Sequence, residues 1–346
     1  MPTDNSSDKD SPSRSANNNT ATARAGVFPG GHVQDKTGLA LASSGPDLIH
    51  AYFMDEDNHI IEADYWNKTW TSPNGEPHAI RNVTSKAGKG SPIAAVTYSL
   101  KDGAQHRQIF FYDIDGLAST INATDDGAWG EAYNLVTNIT SHPSAKGLAA
   151  CVGTDEGGLN GMRVYMADAR GWIQEIGFNF DSSHHPTWHV WASFPNGSDA
   201  EAGVACNLVG DTNHLYFRNK TTSLLHQWTW RYADYTSEWL AGPRSTNATV
   251  APGGSMATTT DGKGTDYLFF QSPSDVVMHG LFTGGSMSNF TAQVSTLDAA
   301  TVGYHLAAVW TDEATMLNQV ARRPKRLIFS TVSRAGEARD GTVVST

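Results

Sequence analysis

Leu39-Ala40-Leu41-Ala42, Ile93-Ala94-Ala95-Val96, Leu148-Ala149-Ala150-Cys151, Val204-Ala205-Cys206, Met256-Ala257-Thr258 and Leu306-Ala307-Ala308-Val309 are one pattern written six times. Each is a short extended run in which one larger apolar residue leads a series of small ones. The copies begin at 39, 93, 148, 204, 256 and 306. A period of about 50 residues marks a propeller or another repeat array.

The text between the copies has a constant order. A second apolar run follows at 49–53, 108–112, 162–166, 214–217, 267–270 and 326–329. Polar turn residues come next, as in Asp55-Glu56-Asp57-Asn58 and Asp168-Ala169-Arg170-Gly171. A third run follows, such as His59-Ile60-Ile61-Glu62 or Leu224-Leu225-His226-Gln227-Trp228, and a fourth extended piece closes the unit, as in Trp188-His189-Val190-Trp191. Short runs rich in Val, Ile and aromatics between Gly, Asp and Asn turns read as antiparallel strands. The expectation is an all-β, six-bladed β-propeller of four-stranded antiparallel blades. Its repeats lie near 38–89, 90–144, 145–200, 201–253, 254–303 and 304–346. Small side chains in the first strand suit a crowded axis. Residues 1–25, almost free of large apolar groups, read as a tail or linker, and 26–346 as a single propeller in which 26–33 supplies a closing strand.

Composition narrows the function. Of 346 residues, 24 are Lys or Arg and 35 are Asp or Glu, a formal net charge of -11. That balance argues against a nucleic-acid partner or an anionic membrane surface. No apolar run is long enough to span a bilayer. Half of the twenty asparagines lie in Asn-x-Ser/Thr sequons: Asn5, Asn18, Asn67, Asn82, Asn122, Asn138, Asn196, Asn219, Asn247 and Asn289. This density points to the secretory pathway and N-glycosylation, although the first residues form no signal peptide. The two cysteines, Cys151 and Cys206, fall on first strands of adjacent repeats. Either one disulfide or two buried thiols fits them, and no metal site is expected. No nucleophile elbow, P-loop or dinucleotide fingerprint occurs. His184-His185 reads as part of a polar turn.

The run Arg163-Val164-Tyr165-Met166 followed by Gly171-Trp172-Ile173-Gln174-Glu175, with the join Gly90-Ser91-Pro92-Ile93-Ala94-Ala95, resembles the repeat of the fungal fucose-binding lectins. The resemblance covers roughly residues 38–346. It implies six blades with sugar pockets between them, each using an Arg of the second strand, a Glu of the third and aromatics of the next blade. Arg and Glu suit sugar hydroxyls through charge-assisted hydrogen bonds, and an aromatic face suits the apolar side of the ring. Arg163 and Glu175 stand twelve residues apart. The same offset pairs His50 with Glu62, Gln108 with Thr120, His214 with His226, Tyr267 with His279, and Arg326 with Ala338, or with Glu337 after a one-residue slide. Only the third repeat keeps both groups, so the multivalency of a lectin is eroded. Arg163 and Glu175 read equally as a cross-strand ion pair or as a surviving sugar site with Trp172, Trp188 and Trp191.

Lectin-like repeats without the sugar pairs, dense sequons and one cysteine pair also resemble a branch of fungal biosynthetic propellers that are hetero-Diels–Alderases. That resemblance implies a cofactor-free pericyclase joining a tropolone quinone methide to a humulene-type sesquiterpene. It is the preferred reading; a secreted fucose- or glycan-binding lectin with mostly eroded sites is the alternative. Such an enzyme needs no cofactor or metal, only two apolar partners held in a reactive geometry and a donor on the tropolone oxygen. The candidate catalytic residues are Arg81, His226 and His279. Arg163, Glu175, Trp172, Trp188, Tyr267 and Trp228 are the candidate substrate-binding residues. Each His reads also as an ordinary structural histidine, and Arg81 as a surface side chain. The expected partners are a small hydrophobic substrate or a fucosylated glycan, with a homodimer allowed for.

Overall fold

In the computed structural model, residues 1–33, 35, 46–47, 67–68, 72–77, 80–86, 102, 126, 155–159, 181–186, 195–196, 233–237, 243–247, 262–263, 275, 284–285, 289, 293–304, 311–313, 322–325, 334–337 and 346 lie outside the described part of the chain. The expected tail, the closing strand at 26–33, Arg81 and His184-His185 fall among them.

The protein is an all-β propeller. Its described strands lie in six antiparallel sheets, each a meander in chain order. The first sheet holds Leu39–Ser43, Leu48–Met54, Ile60–Trp66 and Thr69–Thr71, with His78–Ala79 also paired to its third strand. The second holds Ile93–Ser99, Gln105–Tyr112, Ala118–Thr124 and Tyr133–Asn134, and the third Leu148–Thr154, Asn160–Ala167, Ile173–Asn179 and His189–Phe194. The fourth comprises Val204–Val209, Thr212–Arg218, Leu225–Arg231 and Leu240–Ala241. In the fifth, Met256–Thr260, Thr265–Gln271, Val277–Thr283 and Ser286–Met287 are joined by Thr291–Ala292 on the third strand. The sixth is Leu306–Trp310, Ala314–Ala321, Arg326–Ser333 and Ala338–Ser345. Two sheets therefore carry a short fifth strand where four were expected.

The repeated small-residue runs are the first strands. Each touches the first strand of the next sheet, and Leu306–Trp310 touches Leu39–Ser43, which closes a ring. Close approach explains the composition. A Cβ on Gly38 would lie 2.3 Å from the Ser91 carbonyl oxygen, and one on Gly203 2.6 Å from the Met256 nitrogen. The remaining core fills the spaces between sheets. Phe110 and Met166 share one cluster, Phe217 and Phe194 another, and Tyr216 and Phe270 a third. Burying such side chains contributes roughly 1.5–3 kcal/mol each.

The turns between second and third strands share one device. Asp55, Asp113 and Asp168 each accept backbone N–H bonds through Oδ1 from the residues two and four positions on, and Asn219 Oδ1 accepts from those two and three positions on, Thr221 and Thr222. These Asp and Asn side chains hold turns, which is why the polar clusters punctuate the sequence so regularly.

Two expectations are corrected. The second strand of the sixth sheet is Ala314–Ala321, so Arg326 begins the third strand and Ala338 the fourth. Register puts Met316, not Arg326, opposite Val309, where Arg163 stands opposite Cys151 in the third sheet. The sequence Ala314-Thr315-Met316-Leu317-Asn318 lacks the dense apolar signature of the other second strands, so the reading slipped by one strand. Glu337 lies outside the described residues. Cys151 and Cys206 are likewise not joined: both are buried free thiols of one cluster. The Cys151 thiol donates to Asn213 Oδ1 at 3.4 Å, so its polar group is satisfied without a bridge.

Candidate functional site

Ladder register defines one equivalent slot per sheet. In the third sheet Arg163 lies on the second strand, Tyr165 two residues on, and Glu175 opposite Tyr165. The counterparts are His50, Tyr52 and Glu62 in the first sheet and Gln108, Phe110 and Thr120 in the second. In the fourth they are His214, Tyr216 and Gln227, and in the fifth Tyr267, Phe269 and His279. The fourth sheet departs from the fixed offset. One extra residue between its strands puts Gln227 in the slot, while His226 pairs with Phe217 and packs on that ring at 5.8 Å.

The third slot is full. Arg163 Nε lies 3.3 Å from Glu175 Oε1, and its Nη atoms donate to the Met162 and Phe178 carbonyls and to Asn179 Oδ1. Trp191 covers the guanidinium at 4.4 Å, and Tyr232 flanks it. Trp239 of the neighbouring sheet donates its indole N–H to Glu175 Oε2 at 3.1 Å. Both charged residues are almost wholly buried. Burial pushes the Glu175 carboxyl above the usual carboxylate range, with Arg163, Trp239 and Tyr165 pulling it back. Each nitrogen of the Arg163 guanidinium has a partner within the protein.

The first slot is rebuilt from two sheets. His50 replaces the arginine, but Arg107 of the second sheet donates from Nη1 to Glu62 Oε1 at 2.8 Å and from Nη2 to the Asp125 carbonyl. Trp129, also of the second sheet, donates to Glu62 Oε2 at 3.3 Å, matching Trp239 on Glu175. Tyr52 donates a further bond to Glu62 at 2.9 Å. His50 is fixed by Asp64 at Nδ1, 2.6 Å, and by Ser44 at Nε2, 2.8 Å. A cavity of about 120 Å³ opens here, lined by Ser44, Leu48, His50, Gln105, Arg107 and Asp125. It is somewhat smaller than the ~150 Å³ apolar cavity that takes a benzene ring in another protein, so it suits one partly protruding ring. Unlike Arg163, Arg107 keeps an unpartnered Nε.

The second, fourth and fifth slots are not ionic sugar cradles. Gln108 donates to Thr120 at 2.9 Å in the second. In the fourth, Asp266 of the next sheet is fully buried and accepts from Tyr216 at 2.7 Å, from Asn207 at 2.9 Å and from His214. The fifth is aromatic: His279 stacks on Phe269 at 4.8 Å and lies parallel to Tyr267, which stacks on Trp310 at 4.9 Å. Burial lowers His279 to about 4, so its ring is neutral, and its Nε2 has no partner.

Of the nominated residues, Arg163 and Glu175 meet as expected, and Tyr267 meets His279. His226 and His279 belong to different sheets and do not share a slot. Trp172 sits in the turn beneath Arg170 at 4.2 Å, one residue before the Ala167–Ile173 pair that ends the ladder holding Arg163–Gly177. Trp188 is core, packed on Phe110 and Phe178. Trp228 packs on Phe194 in the cluster of the two thiols. Sequence reasoning missed Arg107, Trp129 and Trp239. The indoles left a signal, since a Trp follows the third-strand slot by a similar stretch in the second, third and fourth sheets.

Metal chemistry has a poor footing among the described residues. Ligand atoms of His50, Glu62 and Asp64 come within 4.8 Å of one another, but Glu62 is already held by Tyr52, Trp129 and the Arg107 cation. Asp55, Asp57 and His59 also cluster, and there Asp55 is the turn acceptor. No helix of the described residues is long and apolar enough to cross a membrane.

No protein-family model matches the chain, and no curated protein does. Solved structures do. The fucose-specific lectin of Aleuria aurantia is 19% identical with a TM-score of 0.71, the match covering 92% of this chain and 98% of that one. SapL1 lectin, solved with alpha methyl fucoside, is 17% identical with a TM-score of 0.63, over 90% and 96% of the two chains. AofleA from Arthrobotrys oligospora is 14% identical with a TM-score of 0.68, over 92% and 88%. The Aleuria lectin is itself a six-bladed propeller with its own mode of fucose recognition. This chain has the β-propeller fold of the fungal fucose-specific lectins.

Proposed function

We propose that the protein is a glycan-binding propeller of the six-bladed lectin type, with its working site between the first and second sheets. The observation that carries this reading is the rebuilt Arg107–Glu62–Trp129 constellation beside an open polar cavity. Arg107 and Gln105 supply donors, Asp125 and Ser44 supply acceptors, and Trp129 braces the arginine at 5.5 Å. This is the chemistry that a polyol ring needs. Calorimetric titration with fucose, α-methyl fucoside and fucosylated oligosaccharides tests it. Saturable binding with about one site per chain, lost in Arg107→Ala, is the expected result, and no binding of any sugar would refute it. This reading displaces the cycloaddition enzyme as the first choice, because His226 and His279, nominated for that chemistry, stand in different sheets.

The aromatic fifth slot supports a second reading, an enzyme for apolar substrates such as the tropolone–sesquiterpene pair. Tyr267, Phe269 and Trp310 form an apolar wall around a neutral His279 that keeps a free nitrogen. Incubation with both precursors tests it; product formation that survives His279→Phe would refute a role for that residue. The sequons support passage through the secretory pathway. A mobility shift on amidase removal of N-glycans from protein made in a eukaryotic host is the check.

A further inference from the structure

The cavity between the first and second sheets is lined by one carboxylate, that of Asp125, and the backbone fixes where it stands. Gln105 ties the two sheets together, its side-chain amide donating to the Ser44 carbonyl at 3.1 Å. The Gln105 N–H donates to Asp125 Oδ1 at 2.9 Å, and the Asp125 N–H returns to the Gln105 carbonyl at 2.6 Å. Asp125 holds φ 50°, a left-handed conformation that Asp and Asn adopt more readily than other residues with a side chain. Among the described residues Asp125 Oδ2 and Gln105 Oε1 accept no hydrogen bond, and Asp125 is exposed. The cavity therefore offers two free acceptors on a fixed turn.

The charge around it is negative. Arg107 is the one arginine on the lining, and Glu62 Oε1 already matches it at 2.8 Å. His50 lies 2.6 Å from Asp64 and 3.6 Å from Glu62, so even as an imidazolium it only offsets Asp64. Asp125 is left over. Arg107 meets it at the backbone carbonyl, and among the described residues no cation pairs with its carboxylate. Like charge repels at this range and opposite charge attracts. A sugar bearing a carboxylate is therefore disfavoured here. A sugar bearing an ammonium is drawn in, and its three N–H donors suit the free acceptors.

We propose that the first slot selects an amino sugar, a hexosamine with its amine unacylated, and that Asp125 is the residue that makes the selection. The inference rests on the reading of this slot as a glycan site and adds the class of sugar. The ammonium donates to Asp125 Oδ2 and Gln105 Oε1, and Leu48 supplies an apolar wall for the ring carbons.

Calorimetry of the full chain with fucose, fucosamine, N-acetylfucosamine and galacturonate tests this, in mildly acid buffer that keeps the amine protonated. Fucosamine is expected to bind about threefold or more tighter than fucose, the order of factor that an ion pair at a partly exposed lip supplies. N-acetylfucosamine, the same ring without the charge, should lose that advantage, and galacturonate should bind weakest. Asp125→Asn keeps the Oδ1 acceptor and suits the left-handed turn. In that variant the fucosamine-to-fucose affinity ratio should fall to about one, and in the unmodified protein added salt should shrink it. A ratio near one in the unmodified protein, a ratio that Asp125→Asn leaves unchanged, or galacturonate binding as tightly as fucosamine overturns the proposal, while fucose binding keeps the glycan reading. Binding of none of the four sugars overturns both.

Discussion

Arg107 of the second sheet donates to Glu62 of the first across 2.8 Å, restoring from a neighbour the ion pair that His50 removed from the first sheet itself. Both side chains are close to fully buried. Removing one partner strands the other, which costs about 3–5 kcal/mol in buried pairs. Arg107→Ala is therefore expected to lower stability by about 3 kcal/mol and to abolish sugar binding. Arg107→Lys should recover part of the stability and little of the affinity, since an ammonium cannot serve Glu62 and Asp125 together. Urea denaturation and calorimetry read the two effects separately.

Arg163 predicts the opposite split. Each of its three nitrogens is engaged, with Glu175, Asn179 or the Met162 and Phe178 carbonyls, beneath the ring of Trp191. Arg163→Ala should cost about 3 kcal/mol or more and leave sugar affinity within twofold. A larger loss of affinity in the folded variant would return the third slot to function.

Asp266 is expected to be the most sensitive carboxylate of the fourth slot. It is fully buried and accepts from His214, Tyr216 and Asn207. Asp266→Asn exchanges an acceptor for a donor facing those groups and should cost about 3 kcal/mol, with an unchanged denaturant slope. Equilibrium unfolding of the pair of proteins checks this.

Acid should weaken the fold before the carboxylates titrate. Burial holds His279 and His305 at about 4, with Lys146 adding to the effect on His305. Between there and the unfolded value of 6.5 the unfolded chain binds more protons, so their contribution is complete above about pH 6.5 and is lost as pH falls through that window. Each can account for on the order of 3 kcal/mol. Glu175 acts in the reverse sense: its raised carboxyl gives a contribution present in acid and lost as pH rises through the folded value. Melting temperature against pH should decline from 6.5 toward 4, with a smaller decline in His279→Phe.

The two thiols should be silent in the native protein. Cys151 and Cys206 are buried, and burial pushes the Cys206 thiol well up, aided by its hydrogen bond with Cys151. A thiol reagent is expected to find no reactive cysteine before unfolding and two after it.

The fold was legible because its cause repeats. Six small-residue strands and the Asp turns at Asp55, Asp113 and Asp168 are local, periodic signals. The sixth sheet misled because Ala314–Ala321 is a weak apolar run, and a strand skipped there displaced Arg326. The site was less legible, since it depends on which sheet lends a side chain to which slot. Arg107 precedes Gln108, the residue that the offset selected, and neighbouring strand positions point to opposite faces. One position in the sequence therefore decides between two different clefts. His226 and Gln227 failed by the same margin, through a single inserted residue.

The contact between Leu306–Trp310 and Leu39–Ser43 has a thermodynamic corollary. An open stack of modules can fray from an end, each unit leaving with only one interface lost. A circular stack has no terminal unit, so peeling away any sheet sacrifices two interfaces at once. Loss of structure should accordingly proceed as one concerted transition rather than as stepwise melting.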